Sequence, residues 1–201
     1  MQTSLFQKNI QLSLSNVLLV PLSNEHEQGL IEATKDGDLW NLRITSTPHY
    51  SEVHSYIDKA LNQKEQGTRY PFAVIEENTA KVLGTTSFHD ILENVKRYEI
   101  GYTWYAKSVQ RTHVNTTCKL LLLEYAFEQL KANTIALRTD QFNFKSQRAI
   151  ERLGAKKDGV IRGDLMRKDG TIRDTVMYSI VKGEWENVKA HLQDLLRSYS
   201  K

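Results

Sequence analysis

The sequence predicts a mixed α/β domain: one sheet, antiparallel at its front and parallel through its middle, with helices on both faces. Three observations lead there. YPFAVIE (70–76) and KVLGTTSF (81–88) alternate apolar and polar residues and are joined by the polar turn ENTA, a hairpin pattern. RYEIGYTWYA (97–106) and TIALRT (134–139) read as strands with a leucine-rich helical run between them, the order of a right-handed crossover between parallel neighbours. KKDGVIRGDLMR and RDTVMYSIV, divided by the turn KDGT at 168–171, form a second hairpin. With NVLLVPL at 16–22, the sheet has about seven strands.

The first strand, NVLLVPL, leads into a short helix that reaches about Lys35, capped by Asn24 and stopped by DGD at 36–38. Ser51 begins a second helix, whose face of Val53, Tyr56, Ile57, Ala60 and Leu61 packs on the sheet until Gly67 ends it. Strict alternation in RYEIGYTWYA puts Tyr98, Ile100, Tyr102 and Trp104 on one face and Glu99, Gly101, Thr103 and Tyr105 on the other. Val114, Cys118, Leu121, Leu122, Tyr125 and Leu130 share one side of a helix running to about Lys131. A further helix spans about Lys145 to Leu153 and closes at Gly154. A last amphipathic helix, from about Glu184, carries Trp185, Val188, Leu192, Leu195 and Leu196. Its apolar face can cover the sheet or a second subunit, so a homodimer stays open.

No linker interrupts the 201 residues, which read as one domain: a core of about 16–183 and a C-terminal helix of about 184–199. A chain 40% hydrophobic and 25% charged buries a core and is too apolar for disorder. The net charge of +3 comes from 27 basic and 24 acidic residues mixed along the chain, which does not imply nucleic acid. The single cysteine, Cys118, forms no internal disulfide, and MQTSLFQKNIQLSLS lacks the basic flank and long apolar run of a leader. Both point to a reducing cytoplasm. The longest apolar run, around LLLL at 120–123, falls far short of the roughly 18 residues a membrane span needs. His49, His54 and His89 share no ligand-like spacing with one another or with Cys118, so no metal is expected.

QRTHVNTT, residues 110–117, lies between a strand and a helix, the setting in which main-chain amides and the helix dipole hold a phosphate. It contains no glycine. Glycine is required only where the turn needs positive φ or where a side chain would strike the ligand, and asparagine and histidine tolerate left-handed geometry. Arg111 and the hydroxyls of Thr112, Thr116 and Thr117 add charge and donors. The plain alternative is a helix cap.

The order of elements and two motifs resemble the GNAT acetyltransferase superfamily, in its RimJ/RimL-type branch, over roughly residues 16–183. In that superfamily the loop reads Q/R-x-x-G-x-G/A, and its amides bind the pyrophosphate of acetyl-CoA. The matching residues are Gln110, Arg111, Thr112, His113, Val114 and Asn115, with Thr116 next, so His113 and Asn115 stand where the family places small residues. NFKSQRAIERLGA (143–155) is similar to the RimJ/RimL-type pattern N-x-x-S-x-x-x-x-x-x-L-G-F/A, which puts Asn143 and Ser146 beside the pantetheine arm and the sulfur.

The resemblance implies a GNAT-like mixed sheet, acetyl-CoA as acetyl donor, and direct transfer to a primary amine of a protein N-terminus or a small molecule. It makes Glu99 the candidate base, commonly acting through water. Ser146 becomes the candidate partner of the leaving thiolate, because Ile150 stands where many members carry tyrosine. Tyr105 and Trp104 would wall the pantetheine, and an amide near Tyr102 or Thr103 would polarise the thioester carbonyl. LWNLRITSTPHY (39–50) connects two helices where the superfamily shapes its acceptor pocket, so Trp40, Arg43 and Tyr50 are expected to touch the acceptor. The basic balance weighs against polycationic acceptors. The competing expectation is a non-catalytic module that kept the fold and binds another ligand or a protein through the altered loop.

Overall fold

A computed structural model describes residues 5–199; the first four residues of the stretch searched for a leader lie outside them. The strands are β1 (Leu12–Leu14), β2 (Val17–Pro21), β3 (Arg69–Glu76), β4 (Lys81–Leu92), β5 (Arg97–Tyr105), β6 (Thr134–Asp140), β7 (Lys156–Met166) and β8 (Ile172–Val181). They form one sheet in the order β1-β2-β3-β4-β5-β6-β8-β7. Only β5 and β6 are parallel neighbours; the other pairs are antiparallel. The strand beyond the expected seven is β1, whose three residues pair with β2 across a turn in which Ser15 and Asn16 take φ of 49° and 61°. Such a turn usually declares itself by glycine, and here it does not.

Helices α1 (Glu27–Lys35) and α2 (Val53–Glu65) cover one face of the sheet, with Leu30, Val53 and Ile57 packed against Leu22, Ala73 and Trp104. The other face carries α3 (Val114–Glu124), α4 (Phe144–Arg152) and α5 (Trp185–Ser198). Ser23, rather than Asn24, caps the entry to α1 by pairing with His26, and the turn before α2 is capped by His49 rather than Ser51. The wider π turn Tyr125–Gln129 continues α3. Trp185 of α5 stacks on Phe127 at 5.1 Å and donates to Glu128 at 3.0 Å, so the apolar face of α5 covers α3 of its own chain.

The expected alternation along β5 breaks in the middle. Thr85 pairs with Trp104 and Ser87 with Gly101, so one residue of β4 faces two of β5, and Tyr102 sits there at φ 51°. A bulge of this kind inserts one residue and reverses the side-chain parity of everything beyond it. Tyr98, Ile100 and Tyr105 therefore share the core on the α3 side, while Trp104 joins the α1/α2 core, opposite to the face read from the sequence. Tyr102 turns the same way and lies edge-on to His89, 5.0 Å between rings.

Beside the bulge, β4 presses against β5 so closely that a Cβ on Gly84 would lie 2.1 Å from the Trp104 carbonyl oxygen and 2.9 Å from the Tyr105 Cα. Backbone cannot yield as a side chain can. Gly84→Ala is expected to cost about 2–4 kcal/mol and to lower the melting temperature by roughly 5–15 °C. Gly159→Ala, which adds its methyl to open space, should leave the melting temperature within about 2 °C, both variants being followed by circular dichroism.

Candidate active site

The two parallel strands stay together for three residues. Arg97, Tyr98 and Glu99 pair with Thr134, Ile135 and Ala136, after which β5 and β6 part. Beyond that point the main chain of β5 has lost its ladder to β6, and the bulge at Tyr102 disturbs its ladder to β4. Main-chain groups so released need another partner. The parted strands, the N-terminal ends of α3 and α4, the connection between α1 and α2 and the β7/β8 hairpin enclose a cavity of about 1100 Å³.

The loop at 110–113 solves its missing glycines by an unexpected route. Arg111 carries the left-handed conformation, with φ 65°, whereas His113 is right-handed at φ −63° and immediately precedes α3. Asparagine and histidine are thus not asked for the geometry they tolerate. The His113 ring turns outward to the Ser15 carbonyl, 3.1 Å away, and is not part of the cavity wall. Asn115 in the first turn does line the cavity. Gln110 donates to the Tyr105 carbonyl at 3.0 Å, and Thr112 donates to the Val109 carbonyl at 2.7 Å while accepting from the Val114 amide. The amides that follow in the first turn have no partner inside the helix and face the anion-favouring end of its dipole.

Across the cavity, Asn143 caps α4 by accepting from the Ser146 amide at 3.1 Å, and both residues line the wall with Ile150. Tyr105 lines it as well; burial pushes its phenol well above the ordinary range. Val114 and Thr116 are buried, Thr116 accepting from Arg152 at 3.1 Å, and Arg152 also donates to Tyr199 at the end of α5. The C-terminal helix thus reaches the rim of the site, with Tyr199 in its wall, an arrangement the helical periodicity alone did not signal. Cys118 is fully buried and its thiol is pushed up to about 12 by that burial, in keeping with a core role.

Glu99 departs from its expected use. It is fully buried, lies outside the cavity wall, and both its oxygens accept from Arg138, at 2.5 and 2.7 Å. Arg138 also holds Asp90, and His89 stands 3.5 Å from Glu99, its pKa lowered chiefly by burial. A carboxylate held bidentately has little capacity left for a substrate proton. His89, Asp90 and Glu99 come close enough together to suggest metal ligands, yet the Arg138 guanidinium already supplies the positive charge there. Of the residues expected at the acceptor, Arg43 lines the cavity and donates to Thr171. Trp40 and Tyr50 instead pack with His49 in an aromatic cluster, 5.0 to 5.6 Å from Trp40, away from the wall.

Two residues missed in the sequence stand out. Lys119 of α3 is buried, donates to the Thr103 hydroxyl at 2.9 Å, and is lowered by burial to about 8. Its signal was a lysine within the apolar stretch of a helix. Arg69, at the start of β3, is 2% exposed and also lines the cavity. Altogether five lysines and eight arginines line the cavity against one acid among the described residues, Asp140, which is itself paired with Arg167. A low-dielectric cleft with one sign of charge concentrates anions.

The comparisons with known proteins agree with this fold. The family model described as "Acetyltransferase (GNAT) domain" matches residues 16–156. The Bacillus subtilis protein named "Putative ribosomal N-acetyltransferase YdaF" is 36% identical over 106 residues, 53% of this chain; the match spans 57% of that relative's length. A crystal structure of a GCN5-related N-acetyltransferase from Brucella melitensis superimposes with a TM-score of 0.83 at 26% identity, over 94% of this chain and 86% of the other. Mycobacterium smegmatis RimJ in complex with CoA-disulfide shares the fold, with a TM-score of 0.75 at 16% identity over 92% and 93% of the two chains. With a matched core that runs from β2 to the start of β7, the chain belongs to the GNAT acetyltransferase family.

Proposed function

We propose that this protein transfers the acetyl group of acetyl-CoA directly to a primary amine. The observation that carries the reading is the helix end itself: first-turn amides of α3 open onto a strongly cationic cavity, with the bulky His113 side chain turned out of the way. Arg111 supplies charge from the loop, and Lys145 and Arg148 from α4, where a nucleotide's phosphates would need it. Acetyl-CoA supplies the activated acyl group. An amide near Tyr102 or Thr103, where β5 has parted from β6, donates to the carbonyl oxygen as charge builds on it. Lys119, through Thr103, adds positive charge beside the same point. The Ser146 hydroxyl donates to the departing sulfur. Glu99 acts as a positioning residue that fixes Arg138 at the cavity wall. An α-amine, with a pKa of about 8, is already about a tenth neutral at pH 7 and needs no strong base, whereas a lysine amine would face roughly 4–5 kcal/mol of deprotonation cost. The reading therefore favours an α-amine acceptor, of a protein N-terminus or a small molecule, in a cytoplasmic setting.

Three outcomes follow. In titration calorimetry, wild type and His113→Ala should bind CoA with affinities within about threefold of each other, whereas Asn115→Trp, which fills the cavity at the helix end, should weaken binding by roughly tenfold or more. Ser146→Ala should lower kcat by about 10- to 100-fold with little change in the KM for acetyl-CoA, measured by thiol release.

The third concerns the pH dependence of stability. Burial lowers Lys119 from 10.5 to about 8, so between those values the unfolded chain binds more protons than the folded one. The penalty for the buried charge is complete below pH 8 and fades as pH rises towards 10.5. The melting temperature of Lys119→Met minus that of wild type should accordingly fall between pH 8 and pH 10; a difference constant across that window would contradict the burial of a charged Lys119.

A further inference from the structure

Arg69 is a buried cation with only neutral company. Its Nε donates to the Ser87 hydroxyl at 2.8 Å, one terminal nitrogen to the Gln63 side chain at 3.3 Å, and the other to the Tyr56 hydroxyl at 2.9 Å. The guanidinium lies 3.8 Å over the Tyr102 ring and 5.3 Å from that of Tyr56. These contacts use three of the five N–H donors of an arginine, and among the described residues no carboxylate pairs with it. The other buried arginine among the described residues, Arg167, has Asp140 at 2.6 Å. Burying a guanidinium without an opposite charge is costly, and a native fold tolerates it most readily where a ligand completes the pair.

Its location gives the missing partner a place. Arg69 forms part of the wall of the large cavity and sits on the α1/α2 side of the sheet, with Tyr56 of α2, away from the α3 helix end that faces the nucleotide. Tyr102, over which it stacks, is the bulged residue next to the proposed carbonyl site. A group held by Arg69 would therefore lie on the acceptor, close to the amine that reacts. One donor is left on each terminal nitrogen, a number that suits the two oxygens of a carboxylate, and the guanidinium is stacked on Tyr102.

We propose that Arg69 binds a carboxylate of the acceptor, so that the preferred substrate is an amine carrying a carboxylate a few bonds from the nitrogen. The inference rests on the acetyl-transfer reading above and narrows it to one substrate class. The carboxylate has two sources: the α-carboxylate of a free amino acid, or an acidic side chain at the start of a peptide.

The test compares matched acceptors in the thiol-release assay, preceded by CoA calorimetry on the same preparation. One arm sets free amino acids against their amides. The other sets peptides beginning Glu or Asp against those beginning Gln or Asn. Wild type should favour the carboxylate member of one arm by roughly 10- to 100-fold in kcat/KM, the range lost when one partner of a charge-assisted pair is removed, and the arm in which this occurs identifies the source. Arg69→Gln should abolish that preference by raising KM for the anionic acceptor far more than for its neutral match, with CoA affinity changed less than about threefold, and Arg69→Lys should recover part of it. If Arg69→Gln does not fold, the wild-type comparison and Arg69→Lys decide alone. Equal use of anionic and neutral acceptors by wild type, with CoA binding intact, overturns this inference and leaves acetyl transfer standing. Absence of CoA binding overturns both.

Discussion

The separation of β5 from β6 after the Glu99–Ala136 pair is the constraint on which the site depends. Two parallel strands that stayed paired to their ends would close the sheet and leave no room between the helix end of α3 and the connection of α1 to α2. Held together at the base and apart at the top, they make a wedge. The bulge at Tyr102 acts with this separation: one positive-φ residue interrupts the ladder of β5 to β4, which resumes at Trp104, just where β6 has already left. Main-chain donors become available at the middle of a sheet, where they are ordinarily consumed. Such an arrangement stores strain in a non-glycine residue, and aromatic contacts around Tyr102, with Arg69 on one side and His89 on the other, hold it there.

Charge is distributed about this wedge in two ways. Where carboxylates meet arginines, as Glu99 and Asp90 with Arg138 or Asp140 with Arg167, the pairs fix the frame and leave little electrostatic demand on a ligand. Where cations stand without acids, as Arg69 and Lys119, the demand remains. A cavity whose unpaired cations lie on both sides of the sheet attracts anions and repels polycations more strongly than the overall charge of +3 suggests.

Much of this organisation was legible in the chain. Alternation and turn chemistry placed seven of the eight strands, and the order of elements together with the loop at 110–117 and the Asn143/Ser146 motif pointed to the family. What failed has identifiable causes. β1 is three residues long and turns through Ser15 and Asn16 without glycine, below the length at which alternation is readable. The faces of β5 reversed because a bulge leaves no mark in residue identity when Tyr102 rather than glycine adopts the positive φ. His113 and Asn115 drew attention as replacements for glycine, while the left-handed residue is Arg111. Glu99 read as a base because the resemblance places an acid on that face of the strand; its tertiary contact with Arg138, 39 positions away, is beyond local sequence. Arg69 and Lys119 were passed over because isolated charges beside apolar runs look like solvated positions until the fold buries them.

In the proposed function, main-chain nitrogens at two places, the start of α3 and the bulge of β5, hold one ligand between them. Amide hydrogen exchange with and without saturating CoA tests it most directly, because it reads those nitrogens rather than side chains. Slowed exchange is expected at residues 101–105 and 111–117 together, with strands β1 and β2 unchanged. Protection confined to other segments, or none at either place under conditions where CoA is bound, would contradict it.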